Sequence, residues 1–178
     1  ANHVNFGTVN SVEVDDHNNP SFTPLEDGRI LTVYSKHGTA SAFYSRISTN
    51  DSPASIQHWS PEAIKVTPAR NTYSNTYRLS GTGAGENQTI YNFSRCINYN
   101  PCVTISPDNG ASWGNTVQMI QVGTGGTRPY PRYVSNKKNR IDLIYTDGHP
   151  RNENNSVYHL YYQEQNFRKT DGTLVKSL

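Results

Sequence analysis

The sequence predicts an all-β chain, built of short antiparallel strands arranged as the blades of a β-propeller. Three observations carry this: a composition poor in hydrophobic residues but rich in Tyr and turn formers, a repeat of about 55 residues, and one complete Asp-box turn.

The composition comes first. Hydrophobic residues are 33% of the 178, Tyr numbers 12, and Gly and Pro number 13 and 10. Leu and Ala do not dominate, which argues against helices and for many strands joined by polar turns. The net charge of +2 is too small to argue for a nucleic-acid partner. No apolar run approaches the roughly 20 residues of a membrane helix. The chain starts abruptly at Ala1 without a signal peptide, so a processed or trimmed N-terminus is expected. Four N-x-S/T sequons, at Asn50, Asn87, Asn92 and Asn154, carry little weight in so Asn-rich a chain.

The repeat orders the strands. The segment RILTVYSKHG (29–38) resembles RIDLIYTDGH (140–149), and TIYNFSR (89–95) occupies the corresponding place between them. Each follows a short strand: PSFTP, TYRLS and PRYVS, with Phe22, Leu79 and Tyr133 as matching positions. Each precedes another: SAFYSRIS, CVTIS and VYHLYYQ. A fourth strand closes the units: EAIKV after Trp59, TVQMIQV after Trp113, and TLVKSL at the end of the third. Residues 1–178 thus read as a partial propeller with blades at about 15–67, 73–122 and 128–178. Three blades do not close a ring, so the remaining blades are expected from a longer chain or from another chain.

The segment SPDNGASW (106–113) matches the Asp-box pattern Ser-x-Asp-x-Gly-x-Ser/Thr-Trp. Asp108 accepts backbone N–H bonds within the turn, Gly110 supplies a left-handed position, and Trp113 packs beneath the loop. Its expected role is structural, between the third and fourth strands of a blade.

Topology then gathers the polar residues. In an up-and-down blade, strand one leaves one face and strand two returns to it. Residues just before strand one and just after strand two therefore share that face, near the propeller axis. In unit one these are His17 and His37. In unit two, Tyr73, Asn75 and Tyr77 precede and Arg95 follows. In unit three, Arg128, Tyr130 and Arg132 precede, while His149 and Arg151 follow. Carboxylates on this face are few: Asp15, Asp16 and Asp147. A face rich in cations, imidazoles and phenols suits an anionic ligand, and Arg offers bidentate recognition of carboxylate or sulfate.

The segments DDHNNPSFTPLEDGRILTVYSKHG, NFSRCINYNP, the Asp box and TDGHPR…VYHLYYQ together resemble the BNR-repeat propellers that include ulvan lyases. The resemblance runs over nearly the whole chain. It implies a seven-bladed propeller, secreted, that cleaves a sulfated, uronate-containing polysaccharide by β-elimination, a carbon–oxygen lyase reaction. It carries the catalytic roles onto His17, His37, Tyr77 and Arg95. Asn18, Tyr73, Arg132, His149 and Arg151 are the expected substrate-binding residues.

This chemistry explains the residue types. The C5 proton beside a uronate carboxylate is weakly acidic, and its removal builds charge that a donor such as Arg95 must stabilise. A base takes the proton and an acid protonates the leaving O4. In glucuronate these lie on one side of the ring, so Tyr77 could serve both steps. In iduronate they lie on opposite sides, and His17 supplies the second group. No metal or organic cofactor is required. Two rival readings are a glycoside hydrolase of rhamnosidase or sialidase type on the same propeller, and a non-catalytic carbohydrate-binding propeller. A hydrolase would ordinarily need two flanking carboxyl groups, for which only Asp15, Asp16 and Asp147 stand on the face.

Cys96 and Cys102 flank INYNP, the turn between strands two and three of unit two. A disulfide across the hairpin, a metal site with His149 or His159, and two free thiols all remain open on spacing alone.

Overall fold

A computed structural model describes residues 5, 13, 15, 17–81, 88–122 and 127–178. Within these residues, thirteen strands form three antiparallel sheets in chain order. The first is β1 (Ser21–Pro24), β2 (Ile30–Ser35), β3 (Ala42–Ile47) and β4 (Ala63–Val66). The second is β5 (Thr72–Arg78), β6 (Ile90–Arg95), β7 (Pro101–Ser106) and β8 (Thr116–Gln118). The third is β9 (Arg132–Ser135), β10 (Arg140–Thr146), β11 (Val157–Gln163), β12 (Asn166–Lys169) and β13 (Leu174–Ser177). Neighbours in sequence are neighbours in each sheet, the meander of propeller blades.

The third sheet corrects one expectation. TLVKSL is not its fourth strand but its fifth, and the fourth is NFRK. The turn that creates β12 is a two-residue loop, Glu164–Gln165, with φ of 50° and 59°. Left-handed geometry at both positions is the hairpin turn normally written Asn-Gly or Asp-Gly. Glu-Gln carries no such signal, so the hairpin was hidden.

The registers correct a second. Phe22 opposes Thr32, Thr76 opposes Asn92, and Tyr133 opposes Leu143. With the second strands aligned, Thr76 holds the position assigned to Leu79. Leu79 lies past the end of β5 and is buried in the core.

Two hydrophobic layers join the blades. Leu31, Val33 and Phe43 of the first sheet meet Ile90 of the second. Tyr91, Phe93 and Val103 of the second meet Ile141, Leu143, Leu160 and Tyr162 of the third. Each strand contributes alternate residues to one layer, as the period of two demands. Polar ties reinforce the inner strands: Thr23 Oγ1 donates to Thr76 Oγ1 at 2.7 Å, and the Thr76 N–H donates to Ser21 Oγ at 2.9 Å.

The Asp box is one such junction. Asp108 accepts the Ser112 N–H at 2.8 Å and both the Ser106 and Ser112 hydroxyls. Partial burial opposes its ionisation, but these donors outweigh it and lower its pKa. Gly110, at φ +88°, lies on the first blade, where an added Cβ would stand 2.8 Å from Leu31 Cδ1. Trp113 meets Phe43 edge-on at 5.0 Å. The box of one blade thus locks onto the core of the preceding one. Asn92, one of the four sequons, is fully buried in β6 and has no room for a glycan; Asn87 lies outside the described residues.

Candidate active site

The residues before each first strand and after each second strand converge. His17, before β1, and His37, after β2, stack with ring centroids 3.6 Å apart and planes 3° from parallel. Asp15 joins them: its Oδ1 meets His17 Nδ1, and its Oδ2 lies 2.8 Å from His37 Nδ1. The Asp15 carboxylate also accepts the His17 backbone N–H at 2.8 Å. That bond leads the causes that lower its pKa to about 2, with the two imidazoles assisting. Asp15 is therefore an ionised acceptor near neutral pH, so each facing Nδ1 carries a proton.

From His17 a chain of ring contacts crosses all three blades. Tyr73, at the start of β5, meets the His17 ring at 5.0 Å. Arg95, at the end of β6, holds its guanidinium carbon 5.3 Å from the Tyr73 ring, 5.5 Å from Tyr99 and 4.7 Å from Tyr130. Tyr130, before β9, meets the His149 ring at 5.0 Å. His149, after β10, accepts the Arg151 N–H at Nδ1 (3.0 Å).

Arg95 is 5% exposed. Its Nε donates to the Tyr99 carbonyl at 3.3 Å, and among the described residues no carboxylate lies within ion-pair distance of it. Its end faces a cavity of about 200 Å³ lined by Tyr73, Asn75, Tyr130 and Arg132. A buried cation is costly unless paired, so this cavity is electrostatically prepared for an anion.

Tyr77 lies elsewhere. Its hydroxyl donates to the Tyr133 carbonyl at 3.1 Å, its ring packs on Phe93, and burial raises its pKa. It lines a different cavity, with Phe22 and Val134. The cause is a bulge: the β5 register shifts between Thr72 and Asn75, and Tyr73 sits at φ +58°. Simple alternation would put Tyr73, Asn75 and Tyr77 on one side of the strand. The bulge re-aims Tyr73 toward His17 and Arg95.

The remaining expected residues divide. Arg132 is exposed at the cavity rim. Arg151 is exposed beyond His149. Asn18 is buried, with its Nδ2 donating to the Glu13 carbonyl at 2.8 Å. Asp147 accepts the Ser156 N–H at 2.7 Å, the leading cause that lowers its pKa. Asp16 lies outside the described residues.

Neither the part played by Tyr99 nor the bridging role of Asp15 is legible in the sequence. Tyr130 was legible, since it precedes a first strand by the same rule as its neighbours. Tyr99 carried no signal, because its position depends on a closed loop. Cys96 and Cys102 form a disulfide, Cα atoms 6.0 Å apart, around the 3-10 turn Ile97–Tyr99. Asn98 and Tyr99 take left-handed φ of 52° and 62°, which presents the Tyr99 ring and carbonyl to Arg95.

Asp15, His17 and His37 each offer one ligand atom, all within 4.8 Å of one another, and such a trio suits a transition-metal ion. The Nδ1–carboxylate contacts already hold the trio together without one.

The fold and site define a class: a β-propeller with a cationic, aromatic and imidazole cluster at the ends of its inner strands. The chain belongs to the BNR repeat-containing family, whose pattern matches residues 2–178. No curated protein matches it. Among solved structures, it is similar to a PL25 polysaccharide lyase, an ulvan lyase, bound to -[GlcA(1-4)Rha3S]-, with a TM-score of 0.67 and 17% identity over 91% of this chain and 42% of that one. It is likewise similar to a second structure of a PL25 ulvan lyase, with a TM-score of 0.66 and 18% identity over the same shares. The chain thus spans less than half the length of these lyases.

Proposed function

We propose that this chain carries the active site of a secreted polysaccharide lyase, which cleaves a sulfated, uronate-containing polysaccharide such as ulvan by β-elimination. The observation that carries the reading is Arg95: a buried guanidinium, ringed by three tyrosines and facing a cavity, without a carboxylate partner among the described residues. Such a group invites the carboxylate of a uronate, and the ulvan lyases of like fold add weight to that choice.

In this scheme Arg95 neutralises the uronate carboxylate as the C5–H bond breaks. The C5–H electron pair forms the C4–C5 double bond, the C4–O4 bond breaks, and O4 leaves with a proton. Tyr73, rather than Tyr77, has its ring beside both His17 and Arg95, and it takes the tyrosine role as acid or base. His17 and His37 supply the proton transfers that Tyr73 does not. Asp15 orients both rings. The scheme needs no cofactor.

The hydrolase reading is weaker, because Asp15 is committed to two imidazoles and Asp147 to a backbone N–H. The test is incubation with ulvan, followed by ultraviolet absorbance of the unsaturated uronate product, before and after exhaustive chelation. Absorbance that rises in both supports the lyase without a metal. Saturated reducing ends without absorbance would support a hydrolase, and no product would support a binding protein.

A further inference from the structure

Arg95 is not the last guanidinium on this face. Arg128 places its guanidinium carbon 4.9 Å from the centroid of Tyr99, the same ring that Arg95 approaches at 5.5 Å. One tyrosine therefore organises two cations. They differ in setting: Arg95 is buried, whereas Arg128 is exposed. No carboxylate lies within ion-pair distance of Arg128 among the described residues.

The position of Arg128 is built by the fold. Its backbone takes φ +56°, a left-handed conformation that a non-glycine residue keeps only where its surroundings enforce it. Those surroundings are visible on both sides. The Thr127 carbonyl accepts the His149 N–H at 2.9 Å, and the Tyr130 N–H donates to Thr146 Oγ1 at 3.1 Å. Gly148 permits the first tie, since a Cβ there would stand 2.9 Å from the Thr127 carbonyl oxygen. Tyr99 is fixed in turn by the disulfide loop. Both partners of the Arg128–Tyr99 contact thus sit on constrained backbone, which limits the entropy a ligand must overcome.

We propose that Arg128, seated on Tyr99, forms a second anion subsite beside Arg95, and that it takes the sulfate of the sugar next to the uronate. This rests on the lyase reading above for the identity of the polymer. A buried cation in the cavity suits the reacting carboxylate. An exposed fork at the edge suits a substituent of the neighbouring sugar, which remains partly hydrated. Arg contributes two parallel N–H donors to such an oxyanion.

The experiment compares the protein with Arg128→Gln on ulvan oligosaccharides, sulfated and chemically desulfated, by steady-state kinetics and by titration calorimetry. The expected result is a preference for the sulfated form, of roughly fivefold in KM and Kd, that falls close to one in Arg128→Gln, the size of an exposed charge pair. Arg128→Lys should restore only part, because an ammonium lacks the fork. A preference that survives in Arg128→Gln overturns the subsite. If the protein cleaves neither form, the lyase reading fails. Calorimetry then still decides the subsite: binding of the sulfated oligosaccharide that Arg128→Gln weakens sustains it, and binding that is indifferent to Arg128 or to sulfation overturns it.

Discussion

His17 and His37, twenty residues apart on either side of one hairpin, stack 3.6 Å apart with their Nδ1 atoms facing a single carboxylate, Asp15. A carboxylate that receives two Nδ1–H donors sets the tautomer of both rings. His17→Ala should abolish turnover while circular dichroism stays unchanged. Asp15→Asn should cost on the order of 10²–10⁴ in kcat, because an amide oxygen and an amide N–H cannot both accept from the pair. Near-normal turnover of His17→Ala on ulvan would remove the imidazoles from the mechanism.

The same pair predicts a pH dependence of stability. The Asp15 pKa is lowered from 3.8 to about 2, led by the His17 N–H. A depressed carboxylate stabilises the folded state above its ordinary pKa, and the contribution is lost as pH falls toward the folded value. Thermal unfolding of the protein and of Asp15→Asn should therefore differ at about pH 5, and the difference should close as pH approaches 2. A difference that persists at pH 2 would place the effect elsewhere.

Arg95 should contribute more to turnover than to binding. Its proposed partner gains charge as C5–H breaks, so Arg95→Ala should lower kcat by roughly 10²–10³. Arg95→Lys should recover only part of the loss. An unchanged kcat with a raised KM would demote Arg95 to a binding residue and pass its role to Arg132 or His149.

The two tyrosines of β5 should separate cleanly. Tyr73→Phe should lower kcat by roughly 10²–10⁴, the range of a lost proton-transfer group, with little change in Tm. Tyr77→Phe removes a hydrogen bond to the Tyr133 carbonyl and should cost about 1 kcal/mol of stability while kcat stays near normal. The reverse pattern, from paired kinetics and calorimetry, would restore Tyr77 to the site.

The disulfide should act on the site as well as on stability. Opening it in Cys96→Ser/Cys102→Ser releases a short loop, worth about 2 kcal/mol in the chain-entropy account. It also frees the Tyr99 carbonyl that holds Arg95 Nε, so kcat should fall even at temperatures where the variant is fully folded. Full kcat in the folded double variant would show that the loop only stabilises.

The blade pattern was determined by the sequence alone, because its causes are local. Alternation of side chains along Ile90–Arg95 or Arg140–Thr146, the Asp box at Ser106–Trp113, and short polar turns each act over a few residues. The meander topology then brings His17, His37, Arg95, Tyr130 and His149 to one face by direction of travel. What the tertiary structure decided is which side chains meet there. A bulge at Thr72–Asn75 turned Tyr73 toward the site and left Tyr77 packed against the core, hydrogen-bonded to Tyr133. A left-handed Glu164–Gln165 turn added a strand that no Gly or Asn announced. Tyr99 joined through a disulfide whose pairing the spacing left open, and Asp15 became the link between two imidazoles only when the ends of the hairpin closed on each other. The physical reason is the same in each case: strand period and turn chemistry are written within a few residues. The convergence of side chains instead depends on registers and bulges settled by packing between blades.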